Sequence, residues 1–373
     1  MGNKRLYYMD NLRVFVIVFV VVQHVASIYS GLGLALLPAL PPMQLDIPSV
    51  AVFGFFLTFC QSYDMALLFF LAGYFIENSY NRKGFGPFVK ARCLQLMIPA
   101  VVTMAVITPF QQYVELGQRW FAPEKGVFEF IKQFVTGSNV MWFVMVLFIF
   151  SLVYALVRKI GGKIPQKYDL KLSVPAIVVL ILILAGSAFV IRLAYPIGTY
   201  IWGLSVCFFP AYIAFFIIGV VASRGNFLDK ITYKLGRTCL ICGIVLGLIA
   251  WVVIMLVGGE LSGERNFFGG MNLSSALFTV WEATLAIVMS IGLLGVFKEK
   301  LNHQGKFGTW MSDNSFGVYM FHLQILIGLA LLARPLDIQP LVKWVLTTAV
   351  GLPLSYAAAQ FIFRKIPLLK KIL

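Results

Sequence analysis

Two histidines stand inside long apolar runs. His24 lies in YYMDNLRVFVIVFVVVQHVASIYS, residues 7–30, and His322 in SFGVYMFHLQILIG, residues 315–328. An ionisable side chain at membrane depth is costly and by default marks function. An imidazole suits general-base work near neutral pH. It can take the proton of a hydroxyl, whose oxygen then attacks an activated carbonyl. Arg13 precedes His24 by eleven residues. At about 100° per residue this is about three turns plus 20°, so both sit on one helix face, about 16 Å apart along the axis. Asp10 falls on the same stripe. The face therefore carries a cation at its mouth and an imidazole deep inside. Arg grips phosphate with a fixed fork. The offset suits a long donor whose phosphates stay at the mouth while its reactive end reaches the centre.

Other ionisable groups extend this picture. Counted from Leu12, His24 is about 18 Å deep, and counted from Ser315, His322 is about 10 Å deep. Both enter from the same side, while Glu282 enters from the opposite one. The expectation is a polar pocket near mid-membrane. Asp64 lies in a second apolar run and could pair with an arginine or cap a helix break. Lys90 and Arg92 sit near inner helix ends, as plain positive-inside residues or as snorkelling anchors. Arg192 sits near an outer end, where an interface anchor is the plainer reading. Either histidine could instead bridge two helices by hydrogen bonds.

Several chemistries find no support. There is no H-E-x-x-H, no G-x-S-x-G and no Walker lysine motif. Three histidines in all, and no gathered carboxylates, argue against a metal site. Cys239 and Cys242 form a C-x-x-C without a second pair, and all five cysteines read as core thiols.

The elements that must position these groups are transmembrane helices. The chain has 373 residues, 60% of them hydrophobic and 12% charged. A soluble domain carries about 25% charged residues. With about 20 apolar residues needed per crossing, ten spans emerge: 12–32, 49–76, 93–113, 140–158, 173–192, 200–223, 238–258, 275–297, 315–333 and 340–363. Gln61, Ser62 and Asp64 interrupt the second, which suggests a break or a re-entrant start. With the N-terminus inside, 23 of the 30 Lys and Arg fall on the inner side, so both termini are expected in the cytoplasm of a cell-membrane protein. The net charge of +15 then reflects cytoplasmic loops rather than nucleic acid. The first run is long and lacks a small-x-small cleavage site, so it reads as a retained helix. Residues 114–139, with Trp120, Pro123 and Gly126, read as an amphipathic piece on the outer surface. The fold class is thus all-α and polytopic, one transmembrane domain over residues 1–373 with no separate soluble domain.

The motifs together resemble acyltransferase family 3, the membrane-bound O-acyltransferases of sugars and glycans. Asp10 to His24 resembles the first-helix signature of Arg and His eleven apart. Phe69 to Phe75, FFLAGYF, resembles F-x-S-G-[FY]. RCLQLMIP, Arg92 to Pro99, resembles the Arg-rich entry to helix 3, Met141-Trp142-Phe143 the W-F start of helix 4, and SFGVYMFH the S-x-x-x-Y-x-x-H motif. Ala72 replaces the usual Ser, and Gln95 stands where a second Arg often follows. The closing I-P-L-L-K is similar to the glucans biosynthesis protein C branch, which succinylates periplasmic glucans.

The resemblance implies acyl-CoA, acetyl-CoA or succinyl-CoA, as cytoplasmic donor and a carbohydrate or glycan hydroxyl outside as acceptor. It implies His24 as catalytic base, or as a transient acyl or proton carrier, with Arg13 meeting the donor or orienting the site. Arg92, Arg82 and Lys90 would hold CoA phosphates. His322 and Glu282 would complete the site, and Asp10, Asp64, Trp142 and Arg192 would shape substrate binding. No metal is implied, and a homo-oligomer is compatible. The rival reading is a transporter or flippase of a glycan or lipid-linked sugar using the same polar cavity.

Overall fold

The computed structural model describes residues 5–31, 45–104, 139–162, 172–258 and 266–366. Within them lie ten principal helices: α1 (Tyr7–Ser30), α2 (Ile47–Lys83), α3 (Phe85–Val102), α4 (Trp142–Gly161), α5 (Val174–Ala194), α6 (Phe209–Ala222), α7 (Tyr233–Val257), α8 (Leu273–Lys300), α9 (Lys306–Leu332) and α10 (Pro340–Phe361). Among the described residues, nine apolar helices are long enough to cross a membrane, and Val206–Ala222, which contains α6, is a shorter one. The chain is an all-α polytopic membrane protein. The expected amphipathic piece at 114–139 lies, but for its last residue, outside the described residues.

Local chemistry sets several ends. Asp46, Thr232 and Asn272 cap α2, α7 and α8 through their side-chain oxygens. Gly31 closes α1 with φ 59°, which glycine adopts without a Cβ penalty. In α3 the helix widens to a π turn at Cys93–Met97, just before Pro99. Proline has no N–H for the carbonyl four residues back, and a π turn accommodates that loss.

Three expectations need correction. The second span is neither broken nor re-entrant: α2 runs unbroken for 37 residues, about 55 Å at 1.5 Å per residue. Its mid-helix polar groups find partners across the bundle, so no backbone break is needed. The sixth span starts at Val206 rather than 200, because residues 198–204 form a tight loop with an Ile201–Leu204 pairing and Trp202 at φ 53°. Helices α1 and α9 start earlier than their apolar runs do, at Tyr7 and Lys306. The histidines are therefore deeper from these starts than the apolar runs implied, about 26 Å for His24 and 24 Å for His322.

Helices α2 and α8 are mostly buried, while α5 and α7 present most of their surface outward. Outward leucines, isoleucines and valines on α5 and α7 suit lipid contact. The tightest packing is glycine-mediated. A Cβ on Gly73 of α2 would meet the backbone of Phe216 on α6, and one on Gly219 of α6 would meet the backbone of Phe70 on α2. Gly236 of α7 and Gly295 of α8 approach in the same way. Small residues let membrane helices come this close.

Candidate active site

Helices α1 and α9 run parallel. Arg13 Nη2 donates to Ser312 Oγ at 3.1 Å near their starts, and His24 meets His322 further along. The N-terminal part of α1 is fixed by the α8–α9 link. Asn11 Nδ2 donates to the carbonyls of Leu301 and His303, and its Oδ1 accepts from Gln304. The Tyr8 amide donates to Asn302. Asn11 thus serves the fold within the D-N-L-R run, a role its sequence position does not announce.

The imidazoles of His24 and His322 lie edge to face, ring centroids 4.9 Å apart. His24 Nδ1 is 2.7 Å from the Val20 carbonyl. His322 Nδ1 is 2.8 Å from the Tyr319 carbonyl and 3.1 Å from that of Val318. A carbonyl only accepts, so each Nδ1 carries the proton and each Nε2 presents a lone pair. His322 is fully buried, and its Nε2 has no hydrogen-bond partner. His24 is partly accessible. Val21, Val25, Val144, Val318 and Leu323, on the same helices and on α4, belong to one buried apolar cluster. Tyr319 is held by its hydroxyl on the Val140 carbonyl and packs on Phe143. The pair offers one partly accessible base with a second, buried imidazole beside it.

The other sequence candidates fall into separate places. Arg13 is half-exposed, and Asp10 is shared between Arg5 at 2.9 Å and Arg13 at 3.4 Å. Asp10 thus orients cations at the mouth. Arg92 lies over the Phe88 ring at 5.3 Å, one turn before Leu96, which belongs to the cluster around the histidines. Arg82 and Lys90 are exposed on the same rim. Asp64 is buried and accepts from Gln23 Nε2 at 2.6 Å and from the Met65 amide at 2.5 Å. Among the described residues it has neither the arginine nor the helix break that the sequence suggested.

Glu282 does not join the histidines. Its Oε2 binds Arg192 Nη2 at 2.6 Å, and Arg192 is fully buried between the rings of Phe208 and Phe278. Arg192 is therefore the interior partner of Glu282 rather than an interface anchor. Beside this pair lies a cavity of about 20 Å³ lined by Gln61, Tyr212 and Glu282, room for about one water. Trp142 stacks on Tyr212 at 5.5 Å. Another cluster escaped the sequence reading altogether. Glu77 binds both Arg158, at 3.1 Å, and Arg224, and Arg158 also donates to Asn81 and Tyr154. Among the described residues, no three His, Cys, Asp or Glu side chains gather as metal ligands.

A family model described as an acyltransferase domain, that of acyltransferase family 3, matches residues 6–360. The chain belongs to the acyltransferase 3 family. The match spans every helix described above and so places this acyltransferase in the family rather than in any one branch of it. No curated protein and no solved structure matches it significantly.

Proposed function

We propose that this membrane acyltransferase moves an acetyl or succinyl group from cytoplasmic acyl-CoA to a hydroxyl of an extracytoplasmic glycan or other carbohydrate. The observation that carries this reading is the meeting of two imidazoles, each with Nδ1 on a carbonyl of its own helix, on parallel helices whose starts carry Arg13 bound to Ser312. The Lys- and Arg-rich end of the bundle faces the cytoplasm in this reading, as the positive-inside rule requires.

In the reaction, His24 Nε2 takes the proton of the acceptor hydroxyl. The oxygen attacks the thioester carbonyl, the C–O bond forms and the C–S bond breaks. The departing thiolate takes the proton back from the imidazolium, so the imidazole returns neutral. Arg13 meets the donor at the mouth, and Arg92, Arg82 and Lys90 attract its phosphates at the rim. His322 packs edge to face against His24 and supports its ring.

The test uses purified protein in lipid nanodiscs with radiolabelled acetyl-CoA or succinyl-CoA and a glucan acceptor. Label should pass to the glycan with wild-type protein and not with His24→Ala. Transfer by His24→Ala at the wild-type rate would remove the proposed base. In a parallel assay with sealed proteoliposomes, radiolabelled glycan that crosses the membrane unacylated would favour transport instead.

A further inference from the structure

At the basic end of the bundle an open groove lies between the start of α9 and the end of α10. Lys306, Thr309, Trp310, Asp313, Asn314 and Arg364 line it. Lys306 has no ion-pair partner among the described residues, and Arg364 makes one long contact, 3.5 Å, with Asn314 Oδ1. The groove also takes in Gly305 and the first turn of α9, whose amides no side chain caps. Free amides at a helix start favour anions. Trp310 stands in an aromatic stack, 5.7 Å from Phe307 and 5.3 Å from Tyr356. Phe307 is 70% exposed, an unusual place for a phenylalanine at the charged end of the molecule. Asp313 is the one carboxylate in the lining.

The groove continues into the mouth. Ser312, which binds Arg13, precedes Asp313 and Asn314 on α9. From Trp310 to His322 the axis of α9 rises about 18 Å, a span suited to an extended pantetheine arm. The α3 cations Lys90 and Arg92 do not line this groove; in this reading they add to the charge of the rim that attracts the donor.

We propose that this groove binds the nucleotide end of the acyl donor. The phosphates lie between Lys306 and Arg364 at the first turn of α9, and the purine lies against Trp310. Asp313 flanks the site and disfavours a bare polyanion, so recognition needs the ring as well as the charge. This assignment rests on the acyl-CoA reading above and adds to it the side of the bundle from which the donor enters.

The experiment titrates full-length protein in nanodiscs with CoA and with adenosine 3′,5′-bisphosphate, reading affinity and tryptophan fluorescence. Lys306→Ala with Arg364→Gln should weaken both ligands by at least about tenfold, as expected for lost charge-assisted contacts. Trp310→Phe keeps the aromatic packing and should remove most of the ligand-induced fluorescence change. Unchanged affinity and an unchanged signal in these variants, with CoA still bound and transferred from, would overturn the groove assignment and leave the acyltransfer reading standing. Nanodiscs with and without phosphatidylglycerol form a second arm. Variants that lose only bound anionic lipid would make the groove a lipid headgroup site and also overturn the proposal. Wild-type protein that binds no CoA and transfers no acyl group would sink both readings together.

Discussion

His24 and His322 meet edge to face with ring centroids 4.9 Å apart, and each ring has its Nδ1 fixed to a carbonyl of its own helix. The two bonds orient the rings and leave Nε2 as the only basic atom of each. Two like groups this close interact, so a proton gained by one raises the cost of protonating the other. Only His24 is accessible. We expect His24→Ala to lower transfer by about 10²–10⁴-fold, the usual contribution of a general base. His322→Ala should cost less alone. The double variant should fall little below His24→Ala, because His322 acts through its neighbour. Losses that simply multiply would show two independent roles.

Arg13 is half-exposed, donates to Ser312 and is steadied by Asp10. Its substitution should leave the fold intact and act on donor binding. Arg13→Ala should raise the KM for acyl-CoA more than it lowers kcat. Arg13→Lys should recover only part of the loss, since an ammonium lacks the guanidinium fork. A fall in kcat with unchanged KM would move Arg13 from donor binding to the chemical step.

Glu77 holds two arginines, and both it and Arg158 are more than nine-tenths buried. Removing its charge leaves two cations facing one another beneath the surface. Breaking a buried pair in this way typically costs about 3–5 kcal/mol. We expect Glu77→Gln to lower the thermal midpoint in detergent strongly while Arg82→Gln, at an exposed site, does not. Equal midpoints for Glu77→Gln and wild type would mean that the arginines find water in its place.

Much of this architecture is legible in the sequence, for a physical reason. Lipid demands about 20 apolar residues per crossing, so the nine long apolar helices stand out. The helical period puts Arg13 and His24 on one face without further information. The starts of α1 and α9 do not stand out. Their first turns are polar, as in KFGTWMSDN, and are held by contacts with the α8–α9 link rather than by burial in lipid. The meeting of His24 with His322 depends on α1 and α9 being parallel neighbours, which no local pattern encodes. The same holds for Arg192 with Glu282 and for Glu77 with Arg158. Partners far apart in sequence become visible only when the helices pack. The groove at Lys306 and Arg364 was hidden likewise, because both cations look like ordinary inner-loop charges.

Gly73 sits in the FFLAGYF run, where a motif match alone gives it no job. The packing supplies one. A Cβ there would collide with the Phe216 backbone, and backbone cannot swing aside as a side chain can. Gly219 meets the Phe70 backbone from the other helix, so the contact is reciprocal. Overpacking of this kind costs about 1–3 kcal/mol. We expect Gly73→Ala and Gly219→Ala each to lower the thermal midpoint, and Gly73→Leu to lower it further or block folding. Because the two glycines share one contact, the double alanine variant should depart from additivity. Retention of the wild-type midpoint by Gly73→Ala would show that α2 and α6 do not pack backbone to backbone.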